Sequence, residues 1–381
     1  MSQPSYGSVL TCIVFGSILM LYLILVSKRK NFILGLGPKC IIISMMFVII
    51  RMFFPFNFIF TYNIYSKKYL ALFFDFLRTK VIKSYDIMDI LLLIFIIGTT
   101  VSLILFLQKQ YKFYHLIRMY PYSNSSEIQN IIYSMQLKRK IKCDIKVIQL
   151  NQIQSPCITG LINPIIILPC IDFTDEELQY IFNHELEHYY HHDLWFKLIC
   201  ELMLCFYWWH PLAHQLKKQL NATLEFSNDF VLASDMDEKK RLCYIECLIK
   251  IARYTPVNSC TSAIYFSSTP SSVLTQRANF ILDQQKTSRN KLFHYTNVCI
   301  IASLIFVSLF FVFEPEYPIP PEIENTTVAL EKNKTFFVKH NNVYMTYYNG
   351  KAMGTLKHID DFKGYRIYTS LTEAKKHEKF K

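Results

Sequence analysis

Uncharged, mostly apolar residues fill four stretches of the chain, and between them apolar positions recur at helical or strand spacing. Residues 8–27 carry no charge and end at Lys28-Arg29-Lys30; residues 40–60 are interrupted only by Arg51; residues 90–107 and 295–313 complete the set. Each approaches the roughly 20 residues a helix needs to cross a bilayer, which predicts four transmembrane helices. A fifth run, 198–213, contains Glu201 and ends in His210-Pro211. Its apolar part is short, so it predicts a buried or interfacial helix instead of a span.

The periodic segments lie mainly between the third and fourth spans. Pro121 to Ser126 reads as a turn, with a helix starting at Ser126 and running towards Lys142. Asp144 to Leu150 alternates like a strand, and Ile165 to Pro169 forms a second short strand bounded by prolines. Thr174-Asp175-Glu176-Glu177 reads as a capping box, followed by Leu178, Ile181, Phe182 and Leu186 at helical spacing. Helices are expected at 211–233 and 238–253. After 313, Glu314 to Pro321 reads as a stiff proline-rich connector. Strands are expected at 335–339 and 343–348, with turns at Asn341-Asn342 and Asn349-Gly350 and a helix near 371–379. The division is a three-span membrane domain (1–107), a soluble domain (108–294), a fourth transmembrane helix (295–313) and a small β-rich module (314–381).

Composition agrees with a membrane protein. Of 381 residues, 52% are hydrophobic, 15% aromatic and only 18% charged, against about 25% charged in soluble domains. The charge of the first segment follows its apolar run, which fits a retained anchor with an external N-terminus and not a cleaved signal. Three spans then put 108–294 in the cytoplasm of a bacterial cell and 314–381 outside. Lys109, Lys112 and Arg118, with Arg277, Lys286, Arg289 and Lys291, are the flanking positive charges that orientation requires. The basic loop 61–86 runs against it, and its apolar patch Tyr69 to Leu77 is expected to dip into the outer interface. The net charge of +12 is accounted for by anionic membrane lipid and calls for no nucleic acid. Arg51 lies near the end of its span and reads as a snorkelling anchor. The 11 cysteines show no metal-ligand spacing, and Cys243 and Cys247 read as core.

His184-Glu185-Leu186-Glu187-His188 carries the chemistry. On a helix, residues i and i+4 share one face, so two imidazoles can grip one zinc ion with Glu185 beside them to take a proton from water. Two histidines leave room for a third protein ligand, the pattern of an open catalytic site. Asp193, Glu201, His210, His214, Glu225 and Asp229 are the downstream candidates. His210 and His214 sit in a Tyr-Trp-Trp-His-Pro setting that suits packing. Glu225 and Asp229 are one turn apart, a spacing at which a ligand glutamate and an orienting aspartate work together.

These residues resemble the integral-membrane zinc metallopeptidases of the BlaR/MecR type. The resemblance covers roughly 40–313: Arg51-Met52-Phe53-Phe54-Pro55, Ser155-Pro156-Cys157-Ile158-Thr159-Gly160, Ile167-Leu168-Pro169, the capping box, the His184–His188 motif with His192-Asp193, Trp209-His210-Pro211-Leu212, and Glu225 to Asp229. The resemblance implies a gluzincin-like α+β domain inserted among four transmembrane helices. By it His184, His188 and Glu225 are zinc ligands, Glu185 the general base and Asp229 the residue that orients a ligand histidine. It also implies self-cleavage, placed in the basic stretch Arg277 to Lys291, and the direct or indirect removal of a winged-helix repressor as a possible substrate; a homodimer is a further possible assembly.

The chain departs from the pattern at His210, Asn228 and Phe230. Its tail after 313 has one serine, Ser370, with no lysine three residues on, so β-lactam sensing through this chain is not expected. The leading expectation is a membrane-embedded zinc endopeptidase in signalling. The alternatives are a non-proteolytic receptor or scaffold on the same fold and a housekeeping membrane protease.

Overall fold

A computed structural model describes residues 5–29, 32–33, 36–55, 60–66, 69–82, 85–123, 125–139, 144–254, 271–283, 291–315, 330, 332–340, 343–356, 359, 362 and 364–377. The chain divides into two compact units, Met1–Glu316 and Tyr317–Lys381.

Helix α1 (Tyr6–Ser27) starts at Ser5, whose hydroxyl accepts from the Ser8 backbone N–H. Helix α2 (Pro38–Phe53) has its proline in the first turn, where no N–H is needed. The stretch expected to span at 40–60 is thus a 16-residue helix, stopped at Phe54-Pro55 because a residue before proline avoids helical backbone. Strand β1 (Tyr62–Ser66) leads to α3 (Tyr69–Leu77), which buries Ala71 and Phe74 and leaves Tyr69, Leu72 and Phe76 exposed. A small hairpin, β2 (Lys80–Ile82) and β3 (Tyr85–Asp86), precedes the 33-residue α4 (Ile87–Met119). Among the described residues α1 and α4 are the helices long and apolar enough to cross a membrane. The apolar side chains of α4 are largely exposed, as suits a helix whose surroundings are hydrocarbon. At Gly98 it touches the ring of Trp208 so closely that a β-carbon would collide.

Helix α5 (Ser126–Arg139) precedes a three-stranded sheet of β4 (Lys146–Leu150), β5 (Cys157–Thr159) and β6 (Ile165–Pro169). Its order is β4-β6-β5: β6 is central, parallel to β4 and antiparallel to β5, which forms an edge. Gly160 turns the chain out of β5 with φ +88°, and a β-carbon there would strike the Asn163 carbonyl oxygen. Gly160→Ala is therefore expected to destabilise the fold by about 2 kcal/mol, measured as a lowered thermal midpoint. An unchanged midpoint would show that the turn relaxes freely.

Among the described residues five helices follow: α6 (Asp175–Tyr190), α7 (Asp193–Phe206), α8 (Pro211–Ser234), α9 (Glu238–Arg253) and α10 (Ser271–Asp283). Helix α11 (Lys291–Phe310) ends before the expected 313. Phe311–Pro315 instead forms β7, paired in parallel with β1 from Tyr62↔Phe311 to Ser66↔Pro315. That pairing, with the Phe313 N–H donating to Thr11 Oγ1 at 3.0 Å, satisfies backbone groups a longer helix would have kept for itself. Buried Arg51 donates to the carbonyls of Phe54 and Ser308, the latter at 3.1 Å, and so serves the ends of α2 and α11.

One core joins the two N-terminal helices to the motif-bearing region: Leu23, Met45 and Ile49 pack in the same cluster as Met203 of α7 and Leu216 and Leu220 of α8. A second core, with Ile132, Val147, Ile166, Phe182 and Leu186, seats α6 against the sheet and α5. The unit after 316 contains a sheet of order β10-β9-β8-β11, built from β8 (Thr335–His340), β9 (Val343–Tyr348), β10 (Lys351–Leu356) and β11 (Arg366–Tyr368), and a helix α12 (Leu371–His377). Asn349 and Gly350 both have positive φ, as a tight hairpin turn demands. Asn341-Asn342 and most of the proline-rich connector lie outside the described residues.

Candidate metal centre

The capping box at Thr174 forms as the sequence predicts: its hydroxyl accepts from the Glu177 N–H, and the Glu177 carboxylate accepts from the Thr174 N–H at 2.8 Å. From this start α6 places Leu178, Ile181, Phe182 and Leu186 in the core, and His184, Glu185 and His188 together on the side facing α8 and β5. All three are buried.

Helix α8 supplies the carboxylate. Glu225 Oε2 lies 3.2 Å from His184 Nε2, and Glu225 Oε1 lies 3.3 Å from His188 Nε2. One donor atom from each of the three residues lies within 4.8 Å of the others. Two imidazole nitrogens and one carboxylate oxygen are the donors zinc takes in catalytic sites, and this spacing lets one ion touch all three.

Each histidine is fixed from behind. After α6 the chain reverses through His192, which adopts the left-handed conformation (φ 59°). That reversal brings Asp193 back onto His188, whose Nδ1 lies 2.7 Å from Asp193 Oδ2. The Asn228 amide also donates to Asp193 Oδ2 (2.9 Å), and its carbonyl oxygen meets His191 Nδ1 (2.9 Å). Behind His184, Nδ1 lies 3.0 Å from the Tyr244 hydroxyl, which donates to Asp229 Oδ1 at 2.8 Å. Asp229 Oδ1 is itself 3.4 Å from His184 Nδ1. In both networks Nδ1 faces the supporting partner and Nε2 faces Glu225, so loss of the Nε2 proton would free that nitrogen to bind an ion.

The remaining third-donor candidates fall elsewhere. Glu201 pairs with Lys217 at 2.5 Å. His210 caps α8, accepting from the Ala213 N–H, and its Nε2 meets Ser17 of α1 at 2.9 Å. His214 bonds the Trp208 carbonyl oxygen at 2.9 Å. Tyr244 and Arg277 are the residues sequence reasoning missed. Nothing in the amphipathic pattern of α9 separates Tyr244 from an ordinary core tyrosine. Arg277 precedes Phe280 and Ile281 by three and four positions, so it occupies an apolar helix face. That mismatch was its signal.

Opposite charges meet inside the cluster. Burial opposes ionisation of Glu225, yet His188 and Arg277 hold its carboxyl well below the usual range. Burial and Lys197 oppose a charge on His188, but Glu225 and the hydrogen bond to Asp193 push it up to about 9. The edge strand runs close to the motif: burial and then the Glu185 carboxylate push the Cys157 thiol up to about 12.

A pH dependence follows for the metal-free protein. The raised His188 contributes stability that is fully present below its ordinary 6.5 and is lost as pH climbs through about 9. The lowered Glu225 contributes stability that is present above its ordinary 4.5 and is lost on acidification through its depressed value. Thermal midpoints in chelator are therefore expected to be highest between pH 4.5 and 6.5, where both contributions are fully present. If His188 binds zinc, it must first give up its proton, and affinity would then rise about tenfold per pH unit up to about pH 9. Titration by a competing chelator checks this, and a flat profile would refute the assignment for His188.

"Regulatory protein BlaR1" of Bacillus licheniformis is 29% identical over 179 residues, which are 46% of this chain and 29% of that protein. "Methicillin resistance mecR1 protein" of Staphylococcus aureus is 23% identical over 231 residues, 58% of this chain and 39% of that protein. The chain thus spans about a third of the length of these curated relatives. The model of the family described as "BlaR1 peptidase M56" matches residues 73–281, more than half of the chain, including His184, Glu185, His188 and Glu225. The chain therefore belongs to the BlaR1 peptidase M56 family.

Proposed function

We propose that this protein is a membrane-embedded, zinc-dependent endopeptidase of the gluzincin kind. The observation that carries the reading is the convergence of His184, His188 and Glu225, with Glu185 buried beside them on the same helix. Bound zinc supplies Lewis acidity towards the scissile carbonyl and lowers the pKa of water. Glu185 accepts the proton of the attacking water and returns it to the leaving amine. Asp193, and Tyr244 with Asp229, keep the ligand histidines in one tautomer and orientation. The edge of β5, which pairs with no further strand among the described residues, offers its backbone to an extended substrate as an added strand beside the helix of Glu185.

The membrane domain of 1–107 and helix α11 (Lys291–Phe310) anchor the peptidase domain that lies between them in sequence on the cytoplasmic side, with the segment after β7 outside. Four spans require that α2 and α11 cross together with α1 and α4, and their shared core with α1 supports this. The activity serves signalling, through self-cleavage, inactivation of a winged-helix repressor, or both. Self-cleavage is proposed within the basic stretch Arg277 to Lys291, of which residues 284–290 lie outside the described residues.

Metal analysis of the full chain purified in detergent tests the reading. One zinc per chain is expected, retained by wild type and lost from His188→Ala on dialysis. Wild-type protein that takes up no zinc would end the proposal.

A further inference from the structure

We propose that Arg277 is a positioning residue of the metal centre, holding the carboxylates of Glu225 and Asp229 in the arrangement that a metal ion requires. The inference rests on the metal-site reading above. Arg277 is 5% exposed, and its guanidinium engages both acids. Nε donates to Asp229 Oδ2 at 2.7 Å and Nη2 to Asp229 Oδ1 at 2.8 Å, a two-pronged contact. Nη1 lies 3.0 Å from Glu225 Oε2. Nη2 also approaches Tyr244 Oη at 3.5 Å and His184 Nε2 at 3.4 Å.

Two carboxylates one helical turn apart repel each other when buried, and Glu225 and Asp229 are such a pair. A planar guanidinium answers both with fixed geometry. A single ammonium is a point charge and cannot reproduce the fork. The guanidinium is itself held in place, because Phe280 on the same face of α10 packs against Phe226 of α8, with ring centroids 5.5 Å apart. Arg277 thus ties α10 to the donor set. It keeps Asp229 behind His184 and stops Glu225 from swinging away from the two imidazoles.

Arg277→Met and Arg277→Lys in the full chain, purified in detergent and stripped of metal, test this. Zinc affinity is read by competition with a chromophoric chelator, and coordination by the absorption spectrum of the cobalt(II)-loaded protein. Loss of such a supporting contact is expected to weaken zinc binding by roughly 10- to 100-fold in Arg277→Met. Arg277→Lys is expected to bind more weakly than wild type and to show an altered cobalt spectrum. A residue serving stability alone would lower the thermal midpoint and leave affinity and spectrum unchanged. Arg277→Lys binding zinc within twofold of wild type, with the same cobalt spectrum, overturns the proposal. It decides the question even where Arg277→Met fails to fold, because it keeps the buried charge. If wild type itself binds no zinc, the metal-site reading fails first and this proposal falls with it.

Discussion

Glu185→Gln is expected to slow peptide-bond cleavage by roughly 10²- to 10⁴-fold, the range lost with a general base, while zinc content stays at the wild-type level. The substitution keeps the size and hydrogen-bonding reach of the side chain and removes its capacity to hold a proton from water. Glu185 is not among the three residues whose donor atoms converge, so metal uptake has no reason to change. It is 7% exposed on the helix that carries His184 and His188, and that helix packs against the edge strand β5. Mass spectrometry of fragments from cells expressing wild type or Glu185→Gln reads the outcome. Wild-type fragments that persist unchanged in the variant would remove Glu185 from the chemistry. Undiminished signalling without any cleavage would favour a non-proteolytic receptor on the same fold.

The largest effect on stability is expected at Asp229. Its side chain is fully buried and accepts two hydrogen bonds from Arg277 and one from Tyr244. Asp229→Ala leaves the guanidinium with Glu225 as its remaining carboxylate and deprives the Tyr244 hydroxyl of its acceptor. Breaking a buried ion pair from one side typically costs about 3 kcal/mol or more, so the apparent thermal midpoint of the metal-free protein should fall by several degrees. His184 loses its support at the same time, and zinc binding should weaken alongside. A midpoint equal to wild type, at equal metal load, would show that the buried cluster has little energetic weight.

The helix that carries His184, Glu185 and His188 was legible in the sequence because every determinant is local. Thr174 and Glu177 cap each other across three residues, and the apolar positions follow the 3.6-residue period. The strand at 165–169 and the Asn349-Gly350 hairpin were legible for the same reason. Glu225 and Asp229 could be paired by their one-turn spacing, but six downstream residues competed for the third position. Their fates were settled by contacts that spacing does not encode, such as Lys217 for Glu201 and Ser17 for His210. Helix ends were less legible in the apolar stretches. There a long run of similar residues does not reveal that Phe311–Pro315 will pair with Tyr62–Ser66 across the chain.

By itself, then, the sequence determined a helix with two imidazoles and a carboxylate on one face, the apolar segments that put this protein in a membrane, and the order of most elements between them. Only the tertiary structure decided what stands behind those imidazoles. Asp193 returns to His188 through the left-handed turn at His192, and Tyr244 and Asp229 close on His184. Arg277, which reads in the sequence as one more positive charge beside a membrane span, lies 5% exposed among the acids of the cluster. The physical reason is range. Capping and periodicity act over one or two turns and leave their mark on neighbouring residues, whereas a buried charge is assigned its partner by whichever helix the core packs against it.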